Sequence, residues 1–232
     1  MENNQANNPT IDKVWQFVRG DMRPAESEQW MYSDSTVEQI LGKDLFLDVV
    51  STDFSSKDEV FRLKEILKEF ALSQSSTSCL CSQLSNIAAV DMGEDSEEVF
   101  RTLEEIRRRG DPYWWLSVCQ CSGCQQSWLV AQEERQNDLF CLYRLDASIM
   151  EDVLNNDRWP SIFDDYEVLI RISVIAGKRV YLFDPPNSPL RWTISDLARH
   201  RPGINTSEIA ELLNFEIDLA EEQPRNVVRE GG

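Results

Sequence analysis

The chain has 232 residues, of which 41% are hydrophobic, and its 41 acidic against 23 basic side chains give a formal net charge of −18 at pH 7. This composition is ordinary for a folded protein, while the negative field repels nucleic acid and anionic lipid and so argues against both as direct partners. No apolar run approaches the roughly 18 residues that a membrane span requires, and residues 1–10 are polar, so we expect a cytoplasmic protein with reduced cysteines.

Residues 1–75 predict a mainly helical N-terminal region. Apolar residues recur at helical spacing over 11–18 and again over 60–71, and Gly20 follows the first of these stretches as a stop signal. The short apolar run at 45–50 has strand character. We therefore expect helices interrupted by one short strand.

Residues 76–150 predict a β-rich region that contains all six cysteines. A helix is expected at 96–109, because its Glu and Arg residues recur at the i,i+4 spacing that stabilises a solvated helix face. Three antiparallel strands follow, and a turn containing cysteines joins the first two. These strands are predicted at 113–118, 127–132 and 139–145.

Residues 151–220 predict an α/β C-terminal region, and the polar residues 221–232 predict a flexible tail. Strands are expected at 166–174 and 179–183, joined by a hairpin turn at Gly177 and Lys178. A Pro-rich loop is expected to follow at 184–189. Helices are predicted at 147–155, 194–200 and 206–213.

Five of the six cysteines form two short clusters, Cys79-x-Cys81 and Cys119-x-Cys121-x-x-Cys124. Thiolates at such spacings suit a soft, tetrahedral cation such as Zn²⁺, because a short turn directs two sulfur atoms to one point. In a reducing compartment, metal binding is favoured over a disulfide. The sequence therefore predicts a metal site formed by the two clusters.

The second cluster has the composition of a metal-binding turn, because Gly123 can adopt a positive φ angle, and Trp128 is expected to cover it. Cys119 lies one strand position too early, although it could replace Cys121 as a ligand. Cys141 is expected to be a buried thiol outside the site. We predict one structural Zn²⁺ bound by Cys79, Cys81, Cys121 and Cys124. The predicted fold class is α+β: a helical N-terminal region, a small central antiparallel sheet around this zinc, and a C-terminal α/β segment.

Candidate catalytic residues are few. His200 is the single histidine, and its position near the end of a predicted helix is explained by the helix dipole alone. Glu133 with Glu134 and Asp164 with Asp165 are adjacent in extended segments, so the members of each pair point to opposite faces and do not act together on one substrate. We therefore predict a protein that is not an enzyme, and we expect His200→Ala to leave its biological activity unchanged.

Two sequence patterns stand out in the N-terminal and central regions. The first comprises Val14-Trp15-x-Phe17-Val18-x-Gly20, Glu28-x-Trp30-x-Tyr32 and Glu38-x-x-Leu41-Gly42, followed by an apolar strand and Asp53-Phe54. The second is Cys121-x-x-Cys124-x-x-x-Trp128-Leu-Val-Ala-x-Glu133-Glu134-Arg135-x-x-Asp138. Together they lie within residues 14–138, a span of over half of the chain, and they resemble the bacterial immunity proteins that accompany polymorphic and contact-dependent toxins.

The resemblance implies a cytoplasmic, non-enzymatic protein that neutralises a cognate toxin domain by covering its active site or another surface that it needs. If the toxin is basic, as nucleases frequently are, electrostatic steering would speed its association with an acidic inhibitor. Acids with few nearby bases are the candidates for this contact, unless they serve only solubility. They are Asp91, Glu94, Asp95, Asp164 and Asp165.

Two alternative functions remain open from the sequence. One is a zinc-containing regulatory or adaptor protein with another protein partner. The other is a hydrolase whose site is assembled from scattered carboxylates. A toxin gene next to this one would favour the immunity function, whereas activity of the purified protein on nucleotides, glycans or peptides would favour the hydrolase.

Overall fold

The computed structural model describes residues 8–74, 79–110, 115–133, 138–175 and 188–213. Within these ranges, helices and one five-stranded antiparallel sheet form an α+β fold, as the sequence predicts. The chain divides between Ser85 and Asn86 into two compact units. No helix among the described residues combines the length and the apolar character needed to cross a membrane.

Five helices form the described part of the first unit. The first begins after Asn8, whose side-chain oxygen accepts a hydrogen bond from the backbone amide of Thr10 at 3.0 Å. It ends at Gly20, which takes a left-handed φ of 83° that glycine adopts without strain. The helices are α1 Pro9–Arg19, α2 Pro24–Ser33, α3 Thr36–Leu41, α4 Lys43–Ser51 and α5 Lys57–Gln74.

Buried apolar side chains from all five helices form one core in this unit. Phe17 of α1 contacts Phe54, with 6.0 Å between the ring centroids, and Tyr32 meets the same ring edge-on. Along α5 the buried residues recur at intervals of three or four, which is the period predicted for this helix. They are Val60, Leu63, Leu67 and Ala71.

The strand predicted at 45–50 is wrong, because this run forms most of α4. On the helix Val49 is 0% exposed, whereas Leu47 and Val50 are 62% and 44% exposed. The backbone turns at Gly42, whose φ of 80° separates α3 from α4. A continuous apolar run of this length is compatible with either a strand or a helix, and packing of Val49 into the helical core determines the outcome.

The sheet of the second unit contains β1 Ile87–Asp91, β2 Leu103–Gly110, β3 Trp115–Cys121, β4 Ser127–Glu133 and β5 Leu139–Leu145. The strands lie in the order β1-β5-β4-β3-β2, and every neighbouring pair is antiparallel. β4 and β5 confirm the strands predicted at 127–132 and 139–145. β3 confirms the strand predicted at 113–118 over residues 115–118 and continues to Cys121, while residues 113 and 114 lie outside the described part of the chain. β1 and β2 form the two edges of the sheet, and neither follows from the sequence pattern.

Side chains alternate between the two faces of the sheet, and both faces carry buried residues. One face presents Leu116, Leu129 and Cys141 to a core that also contains residues from the helices that follow the sheet. On the other face, Trp128 and Leu142 are both 0% exposed. The helices of this unit are α6 Glu94–Phe100, α7 Ala147–Asn156, α8 Tyr166–Ile175, α9 Ser188–His200 and α10 Thr206–Leu213, with a short 3-10 helix at Ser161–Phe163.

The helix predicted at 96–109 is wrong in its second half, because the edge strand β2 begins at Leu103. A β-bulge between Glu105 and Arg107 changes which residues of this strand share a face. As a result, Glu105 and Arg108 form an ion pair, with 2.6 Å between Oε2 and Nη2. The charges that match a solvated helix face are therefore paired along an edge strand, where charged side chains also discourage further strand addition.

The strand predicted at 166–174 is also wrong, because this apolar run is α8. Asp165 accepts a hydrogen bond from the backbone amide of Glu167 at 2.9 Å at the start of the helix. Glu167 is 7% exposed and forms ion pairs with Arg171 and Arg201. The i,i+4 spacing of Glu167 and Arg171 brings them together on a helix, which an extended strand would not do.

Several sequence predictions lie outside the described residues. These are the strand at 179–183, the hairpin turn at Gly177 and Lys178, and the tail at 221–232. The predicted loop is wrong at its end, because Ser188 and Pro189 begin α9, while residues 184–187 lie outside the described part of the chain. The helices predicted at 147–155, 194–200 and 206–213 are present as α7, α9 and α10.

Leu67 and Phe61 provide a matched test of the first core, because both are large apolar residues of α5. Leu67 is 0% exposed and Phe61 is 64% exposed. Leu67→Ala creates a cavity, so we expect it to lower the free energy of unfolding by about 2–5 kcal/mol. Phe61→Ala should change it by less than about 0.5 kcal/mol. Urea denaturation measures both values, and equal losses would contradict this packing of α5.

Candidate metal centre

Four cysteine sulfur atoms converge in the structure. The Sγ atoms of Cys79, Cys81, Cys121 and Cys124 all lie within 4.8 Å of one another. Sulfur atoms around a tetrahedral Zn²⁺ are about 3.5 to 4 Å apart, because each zinc–sulfur bond is about 2.3 Å long. The six cysteines of the chain, all of them among the described residues, form no disulfide. The cluster could therefore hold a metal ion.

The donor set of this cluster is sulfur only, and most of it is shielded from solvent. Cys79, Cys81 and Cys121 are 6%, 3% and 0% exposed, and Cys124 is half-buried. Four soft sulfur donors in a tetrahedral arrangement suit zinc or iron rather than calcium or magnesium, which prefer oxygen. Four protein donors would also fill a tetrahedral coordination shell.

A tight turn after β3 sets the spacing of the second cysteine pair. The backbone amide of Cys121 donates to the carbonyl oxygen of Gln126 at 2.9 Å, and the amide of Gln125 donates to the carbonyl oxygen of Cys121 at 2.8 Å. A positive φ was expected at Gly123, but the turn has its left-handed backbone at Gln125, where φ is 64° and the chain reverses into β4. These two hydrogen bonds close the turn that carries Cys124.

Thr102, which lies just before β2, contacts the same turn. Its carbonyl oxygen accepts hydrogen bonds from the backbone amide and the hydroxyl of Ser122, at 2.8 and 3.2 Å. Its Oγ1 atom lies 3.3 Å from Sγ of Cys121, which is hydrogen-bonding distance for sulfur. No sequence signal identifies Thr102, because residues 96–109 match a helix pattern in which it has no relation to the cysteines.

The segment that carries Cys79 and Cys81 is held by Arg19, the last residue of α1. Nη1 of Arg19 donates to the carbonyl oxygen of Ser82 at 2.8 Å, while its Nε forms an ion pair with Asp21 at 2.8 Å. Both charged side chains are 8% exposed, so solvent screens this pair only weakly. Arg19 therefore fixes the backbone directly after Cys81, and nothing in the spacing of the cysteines predicts this contact.

Cys119 lies outside the four-sulfur cluster. It pairs with Trp128 in the β3–β4 ladder and is 5% exposed. Burial raises the pKa of its thiol to about 12, and the nearby carboxylate of Glu105 acts in the same direction. A coordinating metal deprotonates a thiol outright, so position decides between the two cysteines, and the sulfur of Cys119 is not among the four that converge. The structure favours Cys121 over Cys119 as the second-cluster ligand.

Trp128 and Cys141 are buried on opposite faces of the sheet. Trp128 is 0% exposed and lies beside Cys119, with the guanidinium carbon of Arg144 4.4 Å from its ring centroid. Cys141 is 1% exposed and belongs to the core formed with the helices. Cys141 is thus a buried thiol outside the cluster, as the sequence predicts.

The acidic residues predicted to contact a partner occupy different elements. Asp91 ends β1, and Glu94 and Asp95 are the first residues of α6. Asp164 forms an ion pair with an arginine of β2, and Asp165 lies just before α8 and accepts a hydrogen bond from its backbone, so these two precede a helix rather than the predicted strand. Both have roles in holding the fold. Partner binding by the five acids stays a prediction.

His200 is the last residue of α9 and is exposed. This position fits the predicted end of a helix, and the non-catalytic interpretation of the residue stays a prediction. Glu133 is the last residue of β4, and Glu134 lies outside the described residues. The predicted lack of enzymatic activity stays a prediction.

Comparisons of the chain with protein-family models, with curated proteins and with solved structures each found no match. The geometry of the cysteine cluster therefore stands as the main observation on function, and the resemblance to immunity proteins remains an expectation from the sequence patterns.

Cys119 and Cys121 form a matched pair for a test of the ligand set, because they are two residues apart on one strand. We expect Cys121→Ser to lose bound zinc, since it removes one of the four converging sulfur atoms. Cys119→Ser should keep the zinc content of the parent chain. Zinc per chain, measured by mass spectrometry after exhaustive dialysis, distinguishes them, and loss of metal from Cys119→Ser alone would reverse the assignment.

Proposed function

We propose that this protein binds one Zn²⁺ through Cys79, Cys81, Cys121 and Cys124, and that the ion has a structural role. The convergence of the four sulfur atoms within 4.8 Å carries the proposal. Catalytic zinc sites keep one position for water or substrate, whereas structural sites are closed by four protein ligands. A complete set of four cysteines supports the closed, structural type.

The zinc would join two segments that are distant in sequence. Cys81 and Cys121 are separated by 40 positions, and β1, α6, β2 and most of β3 lie between them. Structural zinc typically contributes on the order of 10 kcal/mol to the folding of its module. A contribution of this size is comparable to the whole free energy of folding of a typical domain, so the ion would determine whether this part of the chain is ordered.

Cys124→Ser tests the structural role. We expect the purified parent chain to contain one zinc per molecule and Cys124→Ser to contain none, because three sulfur ligands leave the tetrahedral shell incomplete. Amide hydrogen exchange should then become faster over residues 79–145 and remain unchanged in α5. Cys141→Ser is the matched control, because this thiol lies outside the cluster, and it should keep the metal. A metal-free parent chain, purified without chelators, would remove the basis of the proposal.

We also propose that the protein is an immunity protein that binds a cognate toxin domain in the bacterial cytoplasm and neutralises it by occlusion. Two observations support this proposal, namely the sequence patterns that resemble such proteins and the net charge of −18. A negative field of this size accelerates encounter with a basic protein, and nuclease toxins are frequently basic. The zinc would act indirectly, by holding the segments that present the binding surface.

The partner is tested by affinity capture from the native bacterial strain with the zinc-loaded chain as bait. We expect a toxin domain to be retained and to be inactive while bound, and co-expression of this protein should restore growth to cells that produce the toxin. Capture of a regulatory protein without toxic activity would support the adaptor alternative instead. A bound toxin that remains fully active would contradict neutralisation by occlusion.

Charge reversal tests whether acids near the edge strand β1 steer the partner. We expect the triple variant Asp91→Lys, Glu94→Lys and Asp95→Lys to bind the captured toxin more slowly and with a flatter dependence on salt. Urea denaturation checks that the variant keeps the stability of the parent chain. Association rates measured at two ionic strengths provide the readout.

The matched control reverses three exposed acids elsewhere on the chain, so that the change in net charge is the same. These acids are Glu65, Glu69 and Glu151. A smaller effect of the control variant would locate the steering near β1 and α6. An association rate that changes neither with salt concentration nor in the triple variant would contradict the steering role.

A further inference from the structure

The hydroxyl of Thr102 lies against a sulfur atom of the cluster. Its Oγ1 is 3.3 Å from Sγ of Cys121, and Cys121 is 0% exposed. The backbone of Thr102 is fixed at the same point, because its carbonyl oxygen accepts the amide hydrogen bond of Ser122 at 2.8 Å. The turn therefore holds the backbone of Thr102 next to the residue that follows Cys121.

A metal ion bound by four thiolates would place excess negative charge at this point. A divalent cation with four thiolate ligands carries a formal charge of −2, and the chain that surrounds it already has a net charge of −18. Water cannot stabilise the charge on a fully buried sulfur. Hydrogen-bond donors to the thiolates must do so, and such donors also orient the ligands of metal sites.

We infer that Thr102 is a positioning residue of the four-cysteine site and that its hydroxyl donates a hydrogen bond to the Cys121 thiolate when the metal is bound. A cysteine thiol can donate its proton to the threonine oxygen, but a thiolate has no proton to donate. The threonine hydroxyl can rotate and donate in its place, with the same two heavy atoms in contact. This inference rests on the proposed metal binding and adds a residue that is not itself a ligand.

Three variants of the full-length chain isolate the hydroxyl. Thr102→Val replaces the hydroxyl by a methyl group of similar size, and Thr102→Ser keeps the hydroxyl. Ser122→Ala is the matched control, because it removes the side-chain hydrogen bond of Ser122 to the Thr102 carbonyl, at 3.2 Å, without altering the contact with sulfur. Each variant is loaded with Zn²⁺ or with Co²⁺, whose thiolate-to-metal absorption reports directly on the sulfur ligands.

We expect Thr102→Val to bind zinc about 10- to 100-fold more weakly in competition with a chelating dye, which is the usual cost of losing such a supporting contact. Its cobalt charge-transfer band should move to lower energy, because a thiolate that loses a hydrogen bond gives up its electron more easily. Thr102→Ser should restore both values, and Ser122→Ala should keep both. Rescue by serine and the shift of the band distinguish this role from a merely structural one.

The results that overturn the inference are separate from those that overturn metal binding itself. A parent chain that binds neither Zn²⁺ nor Co²⁺ would refute the proposed site. A parent chain that binds both, with Thr102→Val showing the same affinity and the same band, would refute the role of Thr102 alone. If Thr102→Val fails to fold, Thr102→Ala also removes the hydroxyl and adds no methyl group in its place. A Thr102→Ser variant with the same zinc affinity and the same cobalt band as Thr102→Ala would also refute the role.

Discussion

The pairing of β3 with β2 and β4 fixes where the cysteines of the second cluster lie. Cys121 pairs with Leu103 at the last position of the β2–β3 ladder, so its side chain stands where the sheet gives way to a turn. Cys119 stands two residues inside the ladder, opposite Trp128, and is buried as a neutral thiol. Cys121, a candidate ligand, and Cys119, a packing residue, are thus neighbours on the same face of β3. The turn beyond Cys121 then carries the second sulfur back to the same point.

Charge is the second constraint on this molecule. Acids outnumber bases, and some of the arginines bind buried or partly buried groups. Arg19 holds the segment after the first cysteine pair, and Arg201 pairs with the buried carboxylate of Glu167. A four-thiolate zinc site would add further negative charge to the protein. The bases of this protein neutralise only part of its acidic charge, which favours a basic surface on the proposed partner.

The sequence predicted the group of four cysteines because their spacing within each pair is local, and a local turn is enough to bring two sulfur atoms together. It predicted the long helix α5 for the same reason, since the period of its apolar residues is visible without knowledge of its neighbours. The errors arose where distant pairing overrides local pattern: 103–110 is a strand because β3 pairs with it, and 166–174 is a helix that buries Glu167. Thr102 depends on a contact across 19 positions, which no local pattern reveals.

The central claim is that four sulfur ligands close around one zinc ion. X-ray absorption spectroscopy at the zinc edge tests it directly on the purified, full-length chain, because it reports the number and type of the atoms bound to the metal. The account predicts four sulfur neighbours at about 2.3 Å, with no nitrogen or oxygen ligand. A shell that contains nitrogen or oxygen, or fewer than four sulfur atoms, would contradict the closed structural site.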